Sequence, residues 1–162
     1  MRFLLFPAVA IILTGCVTSP QTRDELKTTM KSYPSLSIAD SYTSNRRFED
    51  VVGTIDRKWQ ECYNVLKTTT RTDNGMTMKL RDTYHPQARK INNSLVEMTI
   101  QTTTKGMTAL NKTPAGGEYR VALDIERLPG NKTRLTWYST NGWAKSWERN
   151  KQWSDGKDVA CE

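Results

Sequence analysis

Phe48-Glu49-Asp50-Val51-Val52-Gly53-Thr54-Ile55-Asp56-Arg57-Lys58-Trp59-Gln60-Glu61-Cys62-Tyr63-Asn64-Val65-Leu66 is the stretch on which the fold turns. Its residues Phe48, Val51, Val52, Ile55, Trp59, Cys62 and Leu66 recur at steps of three and four, with one step of one. That spacing lays them along one face of an α-helix. Ser44 or Asn45 can cap it, and Glu49-Asp50 suit the positive end of the helix dipole. Cys62 shares the apolar face with Trp59 and Leu66, so it is expected to point inward.

Beyond Leu66 the period changes to two. Met76, Met78 and Leu80 alternate with threonine and lysine; Val96, Met98 and Ile100 alternate with Glu97, Thr99 and Gln101. Tyr119, Val121, Leu123 and Ile125 alternate with Arg120, Ala122 and Asp124, and Leu135 and Trp137 continue the rhythm after Leu128-Pro129-Gly130-Asn131-Lys132. Such alternation predicts antiparallel strands with one buried and one wet face, and the Asp73-Asn74-Gly75 and Pro129-Gly130 groups are turn signals. Thr68-Thr69-Thr70 and Thr102-Thr103-Thr104 suit the solvent side of such strands. At the end of the chain Trp143, Ala144, Trp147 and Lys151 return to helical spacing, with Asn141 as a cap.

Upstream, Val17 to Ala39 reads as a tether, punctuated by Ser19-Pro20 and Tyr33-Pro34-Ser35. Within it Thr22-Arg23-Asp24-Glu25 has capping-box form and opens a short helix through Met30. A short strand is expected at Ala39–Thr43. The expectation is thus an α+β domain over residues 40–162, with an antiparallel sheet of about four to six strands packed with an N-terminal and a C-terminal helix. In element order it is similar to helix-grip domains, the START-like group and the domains of the BamC lipoprotein, in which a sheet curls around a long C-terminal helix. That resemblance assigns no functional residue to this chain.

Residues 1–15 have a different character. Met1-Arg2 gives a short positive end, Phe3–Leu13 an apolar core too short to span a bilayer, and Leu13-Thr14-Gly15-Cys16 a small-residue exit. The last four residues resemble the lipobox of bacterial lipoproteins. The resemblance implies removal of residues 1–15, a diacylglycerol on the Cys16 thiol, and usually an acyl chain on the new amino group. Two or three acyl chains make release from a membrane negligible. Val17 stands where aspartate would favour inner-membrane retention, so the resemblance implies the periplasmic side of the outer membrane in a Gram-negative cell. In a Gram-positive cell it implies the outer face of the cell membrane.

Loss of residues 1–15 leaves 48 hydrophobic residues in 147 and a formal charge of +6, against +7 for the whole chain. That is enough for one modest core. The positive balance first suggests nucleic acid, but export, the dispersed Lys and Arg, and the absence of any nucleic-acid motif argue against it. Cys62 and Cys161, an even pair in an oxidising space, are expected to form a disulfide; two buried free thiols or a metal pair are the alternatives. No cofactor and no metal are expected, since His85 is the only histidine.

Catalytic signals are sparse. His85 sits in Tyr84-His85-Pro86, a context that ends a strand, and reads as a solvated loop residue. Glu49/Asp50 are explained by the helix start, and Asp124 and Glu126 are expected to face water. The protein is therefore expected not to be an enzyme. The candidate binding surface is Trp137, Trp143, Trp147 and Trp153 with Lys145 and Arg149; the competing reading is that the tryptophans fill a core short of aliphatics, with at least two of Trp143, Trp147 and Trp153 buried. The expected role is that of a lipid-anchored, protein-binding accessory subunit of an envelope machine. A lipid or small-ligand module, or an inhibitor of a cell-wall enzyme acting through a loop at Leu110–Gly117, are the alternatives. A filled core with an exposed aromatic patch favours the protein partner, and an internal cavity favours the ligand.

Overall fold

The computed structural model describes residues 19–73, 76–105 and 115–161. Residues 1–15, Cys16, Asn74-Gly75 and 110–114 of the candidate loop lie outside them. The element order is α1 (Arg23–Ser32), β1 (Ser37–Ser44), α2 (Phe48–Tyr63), β2 (Leu66–Asp73), β3 (Met76–Asn92), β4 (Leu95–Lys105), β5 (Glu118–Leu128), β6 (Lys132–Thr140), a 3-10 turn (Asn141–Trp143) and α3 (Ala144–Ser154). Six antiparallel strands form one sheet in the order β1-β6-β5-β4-β3-β2. The first strand pairs with the last, Tyr42 opposite Leu135, and α2 is inserted between β1 and β2. This is the expected α+β class, in a helix-grip-like order.

The period-two runs set the register. Met98 stands opposite Leu123, and Leu123 opposite Trp137, so one face of the central strands is continuously apolar. Against it lie Phe48, Val51, Ile55 and Trp59 of α2 and Trp147 and Trp153 of α3, all buried. Burying side chains of this size stabilises the fold by roughly 1.5–3 kcal/mol each, before the entropy of ordering them is deducted.

Five readings of the sequence are corrected, two of them at the ends of α2. The stretch from residue 17 to 39 is not wholly a tether. Leu26 and Met30 of α1 are buried against Ala122 and Tyr138 on the opposite face of the sheet, and β1 begins at Ser37. Thr22 caps α1 by accepting from the Glu25 N–H at 3.1 Å, while Glu25 Oε2 reaches back to the Gln21 N–H at 2.7 Å. Second, Asp124 does not face water. It alternates correctly with Leu123, but α1 covers that face, and Arg23 and Lys27 both pair with its carboxylate. Third, α2 carries no side-chain cap: Ser44 Oγ donates instead to the Ser154 carbonyl at 2.7 Å. Fourth, Leu66, read as the end of this helix, opens β2 and is 62% exposed.

Fifth, His85 does not end a strand. β3 runs on to Asn92, paired with β4 from Arg81 onward except for a bulge at Ile91. The Tyr84 N–H donates to the carbonyl of Val65, the residue just before β2. Pro86, two residues on, has its nitrogen on that same side, past the point where β2 pairing stops at Thr83. A proline costs nothing there, because no partner strand needs its missing N–H.

Candidate functional site

The tryptophans are where the sequence left the choice open. Trp137, Trp147 and Trp153 lie in the core with Trp59, so they are not the surface proposed for them. Trp137 stacks on Trp147 with ring centroids 5.5 Å apart, and Trp59 meets Trp137 edge-on at 6.1 Å. Each buried indole N–H finds an acceptor. Trp59 donates to Asn150 Oδ1 (2.8 Å), Trp137 to Ser139 Oγ (2.7 Å), Trp147 to Asp40 Oδ2 (2.9 Å) and Trp153 to the Val159 carbonyl (2.9 Å). Those partners let the largest side chains occupy the interior at no hydrogen-bonding cost.

Trp143 behaves differently. The 3-10 turn holds it at the mouth between sheet and helices, half-buried. Tyr63 from the last turn of α2 and Tyr84 from β3 meet it edge-on, at 5.8 and 6.0 Å. These three rings, with Cys62 and Val65, wall an open cleft of about 310 Å³. Lys67, Lys145 and Arg149 complete its lining, so every charged side chain in the wall is cationic. Of the candidate surface, therefore, Trp143, Lys145 and Arg149 are brought together, and Tyr63, Tyr84 and Lys67 join them from elements that spacing could not place nearby.

The electrostatics follow from the geometry. Lys67 Nζ lies 5.8 Å from the centre of the Tyr84 ring, within cation–π reach. Burial, then the charge of Asp82, hold the Tyr84 hydroxyl above its usual pKa, with Arg120 opposing. Tyr63 is buried and its hydroxyl has no hydrogen-bond partner. Arg149 donates to Ser146 Oγ at 3.3 Å across one turn of α3. An aromatic wall rimmed by cations can take an apolar or planar group that carries negative charge.

The wall is fixed covalently. Cys62 and Cys161 are joined in a disulfide with Cα atoms 5.3 Å apart. The segment after α3 turns back at Gly156, whose φ of 85° favours glycine. It then lays Asp158 against Lys58, with 2.6 Å between charged atoms. Of the other chemical candidates, His85 faces away from this cleft and shares a 3.2 Å hydrogen bond with Thr103 Oγ1. No group of three or more metal-ligating side chains occurs among the described residues. No helix among them is long and apolar enough to cross a membrane.

No protein-family model matches the sequence, and comparison with curated proteins finds no match. Among solved structures, the crystal structure of Ara h 8.0201 is similar over 74% of this chain and 95% of that one, at 13% identity and a TM-score of 0.34. A likeness of that degree assigns no ligand, activity or partner to this chain.

Proposed function

We propose that the protein is a lipid-anchored envelope lipoprotein, acylated at Cys16 and held on the periplasmic side of the outer membrane. Its domain acts without catalysis, as a protein-binding accessory subunit of an envelope assembly. The observation that carries the binding role is the filled interior. Trp59, Trp137, Trp147 and Trp153 occupy the space between sheet and helices where a ligand module would hold its cargo. Beside this packed interior the cleft at Trp143 is open, and its aromatic and cationic lining suits an acidic segment with an apolar or aromatic residue of a partner protein. The same lining contains no carboxylate, histidine or free thiol, which supports a role in binding.

Crosslinking of the full chain in the native envelope tests this reading. The same envelope protein should be recovered with the natural chain and lost, or at least about tenfold depleted, with Trp143→Ala or Lys145→Glu. Recovery of lipid alone, or a partner indifferent to both substitutions, would sink it.

A further inference from the structure

α1 covers only part of its side of the sheet. It packs on Ala122 of β5 and Tyr138 of β6, its first turn reaches Glu97 of β4, and the segment 115–117 covers Gln101 of β4, so among the described residues the exposed part of that side lies on β2, β3 and the Lys105 end of β4. Register decides which side chains stand there. Thr68 is opposite Arg81, Arg81 opposite Lys105, Thr70 opposite Lys79, and Arg89 opposite Glu97. Side chains paired across strands share a face, so Lys79, Arg81, Lys105 and Arg89 project from one surface, with His85 between them. All four cations are exposed. The intervening positions on this face are mostly uncharged, Thr83, Gln87, Thr99 and Thr103 among them. The carboxylate on these strands that faces this side is Glu97, and Arg23 and Arg89 both hold it. Asp24, at the start of α1, adds a second negative charge near Arg89. The end of the face that bears Lys79, Arg81 and Lys105 has no such acidic neighbour among the described residues.

The chain enters the fold beside this surface. Thr22, Arg23 and Asp24 at the start of α1 border the same hollow as Gln87, Arg89, Glu97 and Thr99 of this face. Just upstream, Ser19 Oγ donates at 3.3 Å to Glu118 Oε1, and Glu118 at the start of β5 is opposite Thr102 of β4, whose side chain is on the helix side of the sheet. Lys105 is three residues along β4 from Thr102, and Arg81 is one strand further, so the cations lie about 15 Å from the entry point. Only three peptide steps separate Ser19 from Cys16, a reach of at most about 11 Å. A domain so closely leashed cannot stand clear of the lipid carrying its anchor, as a tether running to residue 39 would allow.

We infer that the exposed cationic part of this face, at Lys79, Arg81, Arg89 and Lys105, lies against the anionic phospholipid surface of the membrane that holds the anchor. The inference rests on acylation at Cys16. Its occupant is specified by the leash length and by the sign of the charge: each Lys or Arg brought to an anionic bilayer gains attraction that falls off within a Debye length. The arrangement turns the Trp143 cleft, on the helix side of the sheet, away from the bilayer and toward soluble or neighbouring proteins.

The test uses the full lipidated chain in vesicles of phosphatidylcholine with phosphatidylglycerol, in phosphatidylcholine alone, and in non-ionic micelles. Lysines are acylated with a water-soluble reagent and read by peptide mass. Lys79 and Lys105 should label at least about fivefold more slowly in the anionic vesicles than in micelles, while Lys132 and Lys157 keep their rates. Arg81→Glu, an exposed substitution, should restore labelling of Lys79 and Lys105. An N-terminal peptide bearing acyl chains together with unprotected Lys79 and Lys105 overturns the orientation and leaves the anchor standing. A Cys16 peptide without acyl chains removes the anchor and the orientation with it.

Discussion

Trp59 Nε1 on α2 donates to Asn150 Oδ1 on α3 at 2.8 Å, with both residues fully out of solvent. Both ends of the amide are engaged, since Asn150 Nδ2 donates to the Ser146 carbonyl at 2.7 Å. One polar side chain therefore fixes how the two helices sit on the sheet. Asn150→Leu should leave the indole N–H buried and unpaired and cost about 1–3 kcal/mol. Urea unfolding should report this as a lower midpoint with an unchanged slope.

The Cys62–Cys161 disulfide closes a loop across a sequence separation of 99. The chain-entropy model gives such a loop about 4–5 kcal/mol of stabilisation. The double variant Cys62→Ala, Cys161→Ala should lose most of that, and reductant should bring the natural chain to a similar stability. A loss below about 1 kcal/mol would mean that packing of the returning tail alone holds it.

Asp124 is the electrostatic fastening of α1, through Arg23 and Lys27. Asp124→Asn should weaken that fastening by about 2 kcal/mol, because the largely buried Arg23 loses a charged partner. Hydrogen exchange should show α1 opening more often while α2 keeps its protection.

The Lys58–Asp158 pair makes tail docking pH-dependent. The hydrogen bond from Lys58 holds the Asp158 carboxyl below its usual pKa, and the same bond raises that of Lys58. A lowered carboxylate contributes above the unfolded value near 3.8 and is lost as the pH falls through the folded value. A raised lysine contributes below 10.5 and is lost as the pH rises through its folded value. The stability difference between the natural chain and Asp158→Asn should therefore be level between about pH 5 and 9 and shrink on both sides, as measured by thermal melts across pH.

Trp143 and Trp147 separate surface from core. Trp147→Ala opens a hole in the interior and should cost about 3–5 kcal/mol, whereas half-exposed Trp143→Ala should cost less than about 2 kcal/mol. Melting temperatures of the two variants provide the comparison, and equal losses would place the cleft within the core.

The class of fold was legible because α2 and the strands obey their own periods, and burial agrees with those periods at Val51, Ile55, Met98, Leu123 and Ile125. The other face of the sheet was not legible. Ala122, Asp124 and Tyr138 look like ordinary wet-face residues until α1 is laid over them, and the helix offers only the weak apolar pair Leu26 and Met30 as a sign that it packs. The candidate site was half legible. Trp143, Lys145 and Arg149 lie close together in sequence, but Lys67 and Tyr84 arrive through the register of β2 and β3, and Tyr63 from the last turn of α2. The capping-box signal at Thr22, the one clue to where the folded domain begins, was too local to show that its helix is packed.

Pro86 bears on how these molecules tolerate one another. Beyond Thr83 the β3 strand has an open side, the kind of edge onto which a second chain could add and begin a fibre. Pro86, itself buried, offers no donor where that side opens, and a strand adding further along would meet the exposed charges of Arg89 and Lys90. The buried proline and the two cations after it leave an added strand little to pair with, which matters most where copies of the protein are crowded together.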